Sequence, residues 1–339
     1  MSLVLALDIG GANLKAATVD GFAGQLPFPL WQKPDELAAV LRDWLQQFAS
    51  TGFDAVAVTM TGELCDCYLS KREGVNSIID AVEWAVEGRP TGIWLTSGEL
   101  VSTVEARTRF LEAAASNWHA LATYVGRLIP HGFGLLLDIG STTTDLIPLL
   151  NGVPNAVGRT DMDRMLSQEL VYTGVRRTPV AALMGARVMA ERFATTQDVY
   201  QWLGELPDDP DDTDTADGRP ATRAFAAIRL ARMLGGDGEL TQPEQIQQLA
   251  LDTYSQQRAM IVAALHTIVA RYGVAPESVI LSGAGEFLAQ AAWIDYHAQQ
   301  PFSPATPTTL LRLSDHWGEA RSLVAPAAAL AILAQEQWE

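Results

Sequence analysis

Two aspartates, Asp8 and Asp138, lie in nearly the same sequence surroundings. Residues 5–17 read LALDIGGANLKAA and residues 135–147 read LLLDIGSTTTDLI. In both, an apolar run enters Asp-Ile-Gly, and small or hydroxylated residues lead into a second apolar run. This pattern encodes a strand, a tight turn and a returning strand. Such turns aim backbone N–H groups at an anion, and glycine lets a phosphate come close. A carboxylate beside a phosphate repels it unless a cation stands between, so Asp8 and Asp138 are the expected holders of Mg²⁺. Gly10, Gly11, Asn13 and Lys15 would cradle one phosphate, with Lys15 adding a formal charge. Gly140, Ser141, Thr142, Thr143 and Thr144 would cradle a second through amides and hydroxyls. Asp145 closes the second copy, either as an acid/base group or as a structural hydrogen-bond acceptor.

The elements that must position these turns repeat as well. Residues 56–63 (VAVTMTGE) parallel residues 279–286 (VILSGAGE), each a buried strand ending in small residues and Gly-Glu. Two matched elements in the same order imply two related lobes facing one cleft. Glu63 and Glu286 are then candidates for chemistry or for helix capping. Apolar periodicity predicts helices over residues 34–48, 78–86, 104–115, 118–127, 222–233, 243–272 and 287–293. Residues 207–220 (PDDPDDTDTADGRP) read as a solvated acidic loop or as a metal-organising lid.

At 339 residues the chain is long enough for two cores. With 23 Lys+Arg against 40 Asp+Glu, the net charge of −17 excludes a nucleic-acid backbone or an anionic membrane as the expected partner. Cys65 and Cys67 are too few for a disulfide framework or a Cys-rich zinc site. With no basic n-region before residues 3–7 and no apolar run of membrane length, the cytoplasm is the expected location.

The two turns resemble the phosphate loops of the superfamily of sugar kinases, actin and heat-shock chaperone ATPases. Ser282, Gly283, Ala284 and Gly285 resemble its adenosine motif, and residues 59–63 its first connecting motif, which implies a ligand-binding place for Thr61. Lys15 lies where actin-like and acetate-kinase-like members carry a phosphate-contacting lysine. DIGSTTTDL is similar to the DxGGTSTD segment of the hydantoinase/oxoprolinase family, with Ser141 in place of its second glycine. TMTGELCD (59–66), TSGEL (96–100), AASNWHALA (114–122), RTDMDRM (159–165), ELVYTGVRRTPV (169–180) and DTADGRPATR (214–223) resemble a short subgroup of that family. That subgroup is linked to tetrahydromethanopterin-dependent one-carbon transfer. The chain is much shorter than hydantoinase or oxoprolinase subunits, which argues against their ring-opening activities.

The resemblance implies an α/β fold of two duplicated ribonuclease-H-like, actin-like ATPase lobes around a central cleft. The lobes would span residues 1–127, joined by a C-terminal helix over 323–339, and residues 129–322. The implied activity is a transferase of methanofuran-type cofactor biosynthesis. A furfuryl diphosphate would condense with a tyramine- or tyrosine-type phenol, forming an aryl ether and releasing diphosphate. Asp145, Glu63 or Asp161 would take the phenol proton. Arg159, Arg176 and Arg177 would meet a substrate carboxylate unless they face solvent. Trp118 and Tyr172 would stack on substrate rings unless they are core. The rivals are an ATP-dependent kinase or ATPase using the same loops, and a non-catalytic nucleotide-binding module. A homo-oligomer is compatible with all three.

Overall fold

The structure is a computed structural model and describes residues 3–47, 52–300 and 308–338. The helix expected over residues 34–48 starts with a short turn at Pro34–Glu36 and continues as Leu37–Gln46; Phe48 lies outside the described residues.

Each duplicated turn closes a hairpin at the centre of its own sheet. In the first sheet, β1 (Val4–Ile9) pairs antiparallel with β2 (Asn13–Thr18), which pairs with β3 (Ala23–Pro27). On its other side β1 runs parallel to β4 (Ala55–Met60). Beyond β4 lie β5 (Thr91–Trp94) and the antiparallel edge strand β6 (Leu100–Ser102). The second sheet repeats this plan. Strand β7 (Phe133–Ile139) pairs antiparallel with β8 (Thr144–Leu150), whose outer edge takes two short strands, β9 (Val153–Pro154) and β10 (Leu170–Val171). Strand β7 then runs parallel to β11 (Ser278–Ser282), and β11 to β12 (Thr309–Arg312). Asp8 stands opposite Thr59 on β4, and Asp138 opposite Ser282 on β11, the register that the two sequence correspondences require.

Strand alternation decides which face each side chain takes. Leu5, Leu7 and Ile9 join a core with helices Leu37–Gln46 and Lys71–Ala85, while Val4 and Ala6 pack on the C-terminal helix Ala325–Trp338. Leu135, Leu137 and Ile139 pack on helices Pro243–Tyr272 and Glu286–Ala298, while Leu136 packs on helix Asn117–Gly126. By the same count Asp8 and Asp138 take the faces covered by the helices Asn117–Gly126 and Ala325–Trp338. These two helices pack against each other and form the layer between the sheets. Both faces of each sheet are thereby covered, which is why β1 is buried at every position.

The single helix expected over 104–115 is divided into Thr103–Thr108 and Phe110–Ala113. Arg109 breaks it, and its guanidinium binds Glu99, Glu105 and Glu112. No helix among the described residues is long and apolar enough to cross a membrane.

Candidate functional site

The two turns open into one cavity of about 580 Å³, which Asp8, Gly10, Gly11, Asn13 and Lys15 line from one side and Asp138, Gly140, Ser141, Thr142, Thr143 and Asp145 from the other. Each turn is closed by its own glycine amide: Gly10 N–H donates to Asn13 C=O at 3.0 Å, and Gly140 N–H to Thr143 C=O at 2.9 Å. Those two amides are therefore spent. The amides of Gly11, Ala12, Ser141 and Thr142 have no backbone acceptor among the described residues, and they are the donors left for an anion. Thr144, expected to cradle the second phosphate, does not face it. It lies one residue out of phase with Asp145, on the face of β8 that turns away from the cleft, and its hydroxyl donates to Thr173 C=O at 2.7 Å. It does not line the cavity.

Burial raises the pKa of Asp8, against the opposing pull of Lys15 and the Asn117 amide. Its Oδ1 is buried with no hydrogen-bond partner among the described residues. Asp138 is pushed up to about 6, first by desolvation and then by the charge of Asp145, with Lys15 again opposing and Asp8 adding repulsion. Lys15 thus acts on both acids across the cleft. No three His, Cys, Asp or Glu side chains among the described residues converge as a complete cation cage. Mg²⁺ commonly takes only one or two carboxylates and completes its shell with water and phosphate oxygens. Two acids facing one cavity, one with an unsatisfied oxygen, fit that requirement.

Local structure explains how the remaining polar groups reach the cleft. Helix Asn117–Gly126 is pinned at its start by a 2.8 Å contact between the Ser116 and Thr59 hydroxyls, next to Asp8 on the sheet. This brings Asn117 and Trp118 to the cavity wall. Helix Asp161–Leu166 begins with a capping box between Thr160 and Asp163. Asp161 and Arg164, three residues apart, then share its cleft face. Arg164 is buried, ion-paired to Asp145 and stacked 4.2 Å over the Trp118 ring. Asp161 reaches the other lobe, where Lys71 at the start of helix Lys71–Ala85 holds it at 3.2 Å. Neither Arg164 nor Lys71 stands out in the sequence, although RTDMDRM contains the i, i+3 spacing that places Arg164.

Glu63 does not line the cavity. It is buried with both carboxylate oxygens unpartnered among the described residues, beneath Gly74, where a Cβ would lie 2.2 Å from the Glu63 carbonyl oxygen. Desolvation pushes it up to about 7, with Lys71 opposing and Asp161 reinforcing. Thr61 lines the cavity; Arg159 is exposed and does not. Ser282, Gly283, Ala284 and Gly285 also lie outside the cavity lining. Gly283 is pressed under the second turn, where a Cβ would lie 2.4 Å from Ile139 C=O and 2.7 Å from Asp138 Oδ1. Tyr172 and Trp118 both line the cavity; Tyr172 is 61% exposed and free to meet a ring, whereas Trp118 is buried with Arg164 over its face. Arg176 is paired with Asp212 at 2.5 Å. The acidic loop is solvated over most of its length, with Asp208, Asp209, Asp211 and Asp214 exposed, but it is anchored at two points: Asp212 binds Arg176, and Asp217 binds Arg229 and Arg232.

The hydantoinase/oxoprolinase family model matches residues 54–311, about three quarters of the chain. The chain belongs to the hydantoinase/oxoprolinase family. Within it, the chain is 32% identical over 348 residues to the (4-{4-[2-(gamma-L-glutamylamino)ethyl]phenoxymethyl}furan-2-yl)methanamine synthase of Methanocaldococcus jannaschii, covering 99% of both chains. It is 26% identical to the Methanococcus vannielii protein of the same name, over 60% of this chain and 91% of that one. Among solved structures, a nucleotide-free acetone carboxylase aligns with TM-score 0.56 at 10% identity, over 97% of this chain and 70% of that one. A ROK family glucokinase from Streptomyces griseus, solved with glucose and AMPPNP, aligns with TM-score 0.51 at 14% identity, over 98% and 99%. These alignments establish the two-lobed fold that this hydantoinase/oxoprolinase member shares with sugar kinases.

Proposed function

We propose that this chain is a Mg²⁺-dependent transferase of methanofuran-type cofactor biosynthesis. It joins a furfuryl diphosphate to the phenol of a tyramine- or tyrosine-type acceptor and releases diphosphate. The observation that carries this reading is the full-length likeness to the M. jannaschii synthase, with both phosphate turns facing one cavity. The bond from the furfuryl carbon to the diphosphate oxygen breaks, and its electron pair leaves with the diphosphate. The phenol oxygen bonds to that carbon. The furan ring stabilises the positive charge that develops there, and the free turn amides with Lys15 hold the charge that leaves. Held by Asp8 and Asp138, Mg²⁺ would supply further neutralisation of the leaving group.

Asp161 is the acceptor for the phenol proton in this reading. Its carboxylate lines the cavity and its partner Lys71 keeps it in place, whereas Asp145 is committed to Arg164 and Glu63 lies off the cavity wall. Tyr172 offers its exposed ring to the aromatic substrate. The kinase reading would place adenine at the strand end Ser282–Gly285, where Gly283 packs against Asp138 and the second turn.

The test supplies purified protein with a furfuryl diphosphate, a tyramine-type phenol and Mg²⁺, and measures product by mass spectrometry with and without ATP. Phenol-dependent aryl ether and diphosphate without ATP are expected. An absolute ATP requirement, or a phosphorylated product, would transfer the site to the kinase class.

A further inference from the structure

The two turns are built alike but are charged differently. On β2 the residue opposite Asp8 is Lys15; on β8 the residue opposite Asp138 is Asp145. The second turn therefore has an acid where the first has its cation. Arg164 does not restore the balance, because Asp145 consumes it. An anion spanning both turns would meet a cation at one end and a carboxylate pair at the other.

We propose that Arg177 is the missing cation, a binding residue for the diphosphate end of the donor at the second turn. The proposal rests on the reading above and deepens it. The backbone amides of Arg176 and Arg177 both donate to Ser141 C=O, at 3.0 and 2.9 Å, and Val175 N–H donates to Gly140 C=O at 3.0 Å. Gly174 makes this clamp feasible: a Cβ there would lie 2.5 Å from the Ser141 and Thr142 backbone. The base of the Arg177 side chain is thus fixed to the second turn. The neighbouring guanidiniums diverge in use. Arg176 is spent on Asp212, while Arg177 lines the cavity and forms no ion pair among the described residues. Gly11 of the first turn and Cys65, which packs on it, line the same cavity as Arg177. A planar guanidinium on this cavity wall presents a rigid fork that binds two phosphate oxygens side by side, a geometry that an ammonium does not preorganise.

Calorimetry with Mg²⁺ and inorganic diphosphate tests this without turnover. Arg177→Ala is expected to weaken diphosphate binding by about tenfold or more, with Arg177→Lys recovering only part of the loss. In the ether assay the donor KM should rise similarly while the phenol KM stays unchanged. Unchanged diphosphate affinity in Arg177→Ala would overturn the assignment and leave the ether-forming reading standing. A rise confined to the phenol KM would also overturn it, placing Arg177 on an acceptor carboxylate. Failure of the wild-type protein to bind diphosphate would overturn the donor reading itself. A matched melting temperature between wild type and Arg177→Lys identifies any loss as one of binding rather than of fold.

Discussion

The first hairpin and the second share register, turn closure and a central acid, yet they differ in the charge set beside that acid. Lys15 opposes Asp8, while Asp145 opposes Asp138 and draws Arg164 out of the neighbouring helix. Glu63 and Glu286 end equivalent strand connections. Glu63 is buried and unpartnered, whereas Glu286 accepts from Ser314 N–H at 3.0 Å, from the Ser314 hydroxyl at 2.5 Å and from the Ser322 hydroxyl at 3.1 Å. The backbone of a duplicated lobe is constrained by strand pairing and by the layer it must cover. Side chains at the cleft are not so constrained: the hairpin partner of Asp8 is a cation facing the cavity, while the hairpin partner of Asp138 is an acid tied to Arg164.

What the halves share should give the largest effect. Asp8→Asn and Asp138→Asn are each expected to lower the ether-forming rate by roughly a thousandfold, ~4 kcal/mol of transition-state stabilisation, with folding intact. Diphosphate binding should also lose most of its Mg²⁺ dependence. A large loss in only one of the two would show that a single lobe places the metal.

What the halves do not share should separate stability from binding. Asp145→Ala leaves Arg164 buried and uncompensated, and should cost ~3 kcal/mol in chemical denaturation. Lys15→Ala should cost less stability than Asp145→Ala, yet weaken diphosphate binding by ~1.5–3 kcal/mol. Equal behaviour of the two variants in both measurements would erase the distinction between a ligand-facing and a structural charge.

Glu63 carries the pH dependence. Its folded pKa of about 7 lies above the ordinary 4.5, so the folded protein binds this proton more tightly than the unfolded chain. Its contribution is therefore fully present below about pH 4.5 and is lost as pH rises through about 7. Between those limits wild-type stability should fall by on the order of 2–3 kcal/mol from this group. Glu63→Gln should flatten that decline and be the more stable protein at pH 8. Denaturation midpoints across pH 4.5–8 that run parallel for the two proteins would place a compensating charge on Glu63.

Much of this was legible in the chain because strand pairing is local. The Asp-Ile-Gly repeats fixed both hairpins, and the second repeat fixed the parallel neighbours, so Thr59 and Ser282 stand beside their acids as aligned. The long helix expected over 243–272 is present as Pro243–Tyr272, started by a proline and stopped by Gly273 in the left-handed region. Thr144 was misread because a hydroxyl in a threonine run looks like its neighbours until the two-residue alternation is counted from Asp145. The pairing of Arg164 with Asp145 and of Lys71 with Asp161 spans 19 and 90 residues of sequence, and only the packed helices bring those charges together. The acidic loop is solvated as its composition implies, but its two anchoring ion pairs are not legible for the same reason. Its arginine partners lie on helix Arg223–Met233 and behind the second turn.

The smallest expected effect opposes the Glu63 result in sign. Glu286 opens helix Glu286–Ala298 and ties it to the segment around Ser314 and Ser322, just ahead of the C-terminal helix. As a carboxylate it accepts three hydrogen bonds with two oxygens; an amide in its place offers one good acceptor and a donor aimed at other donors. Glu286→Gln should therefore destabilise the protein by ~1 kcal/mol, where Glu63→Gln stabilises it at the same pH. The loss should show as faster amide exchange through residues 313–322, because that segment hangs on the carboxylate. The catalytic rate should stay unchanged, since Glu286 does not line the cavity. Stabilisation by Glu286→Gln would mean that both strand ends bury a strained acid, and the contrast between the lobes would then rest on Lys15 and Asp145 alone.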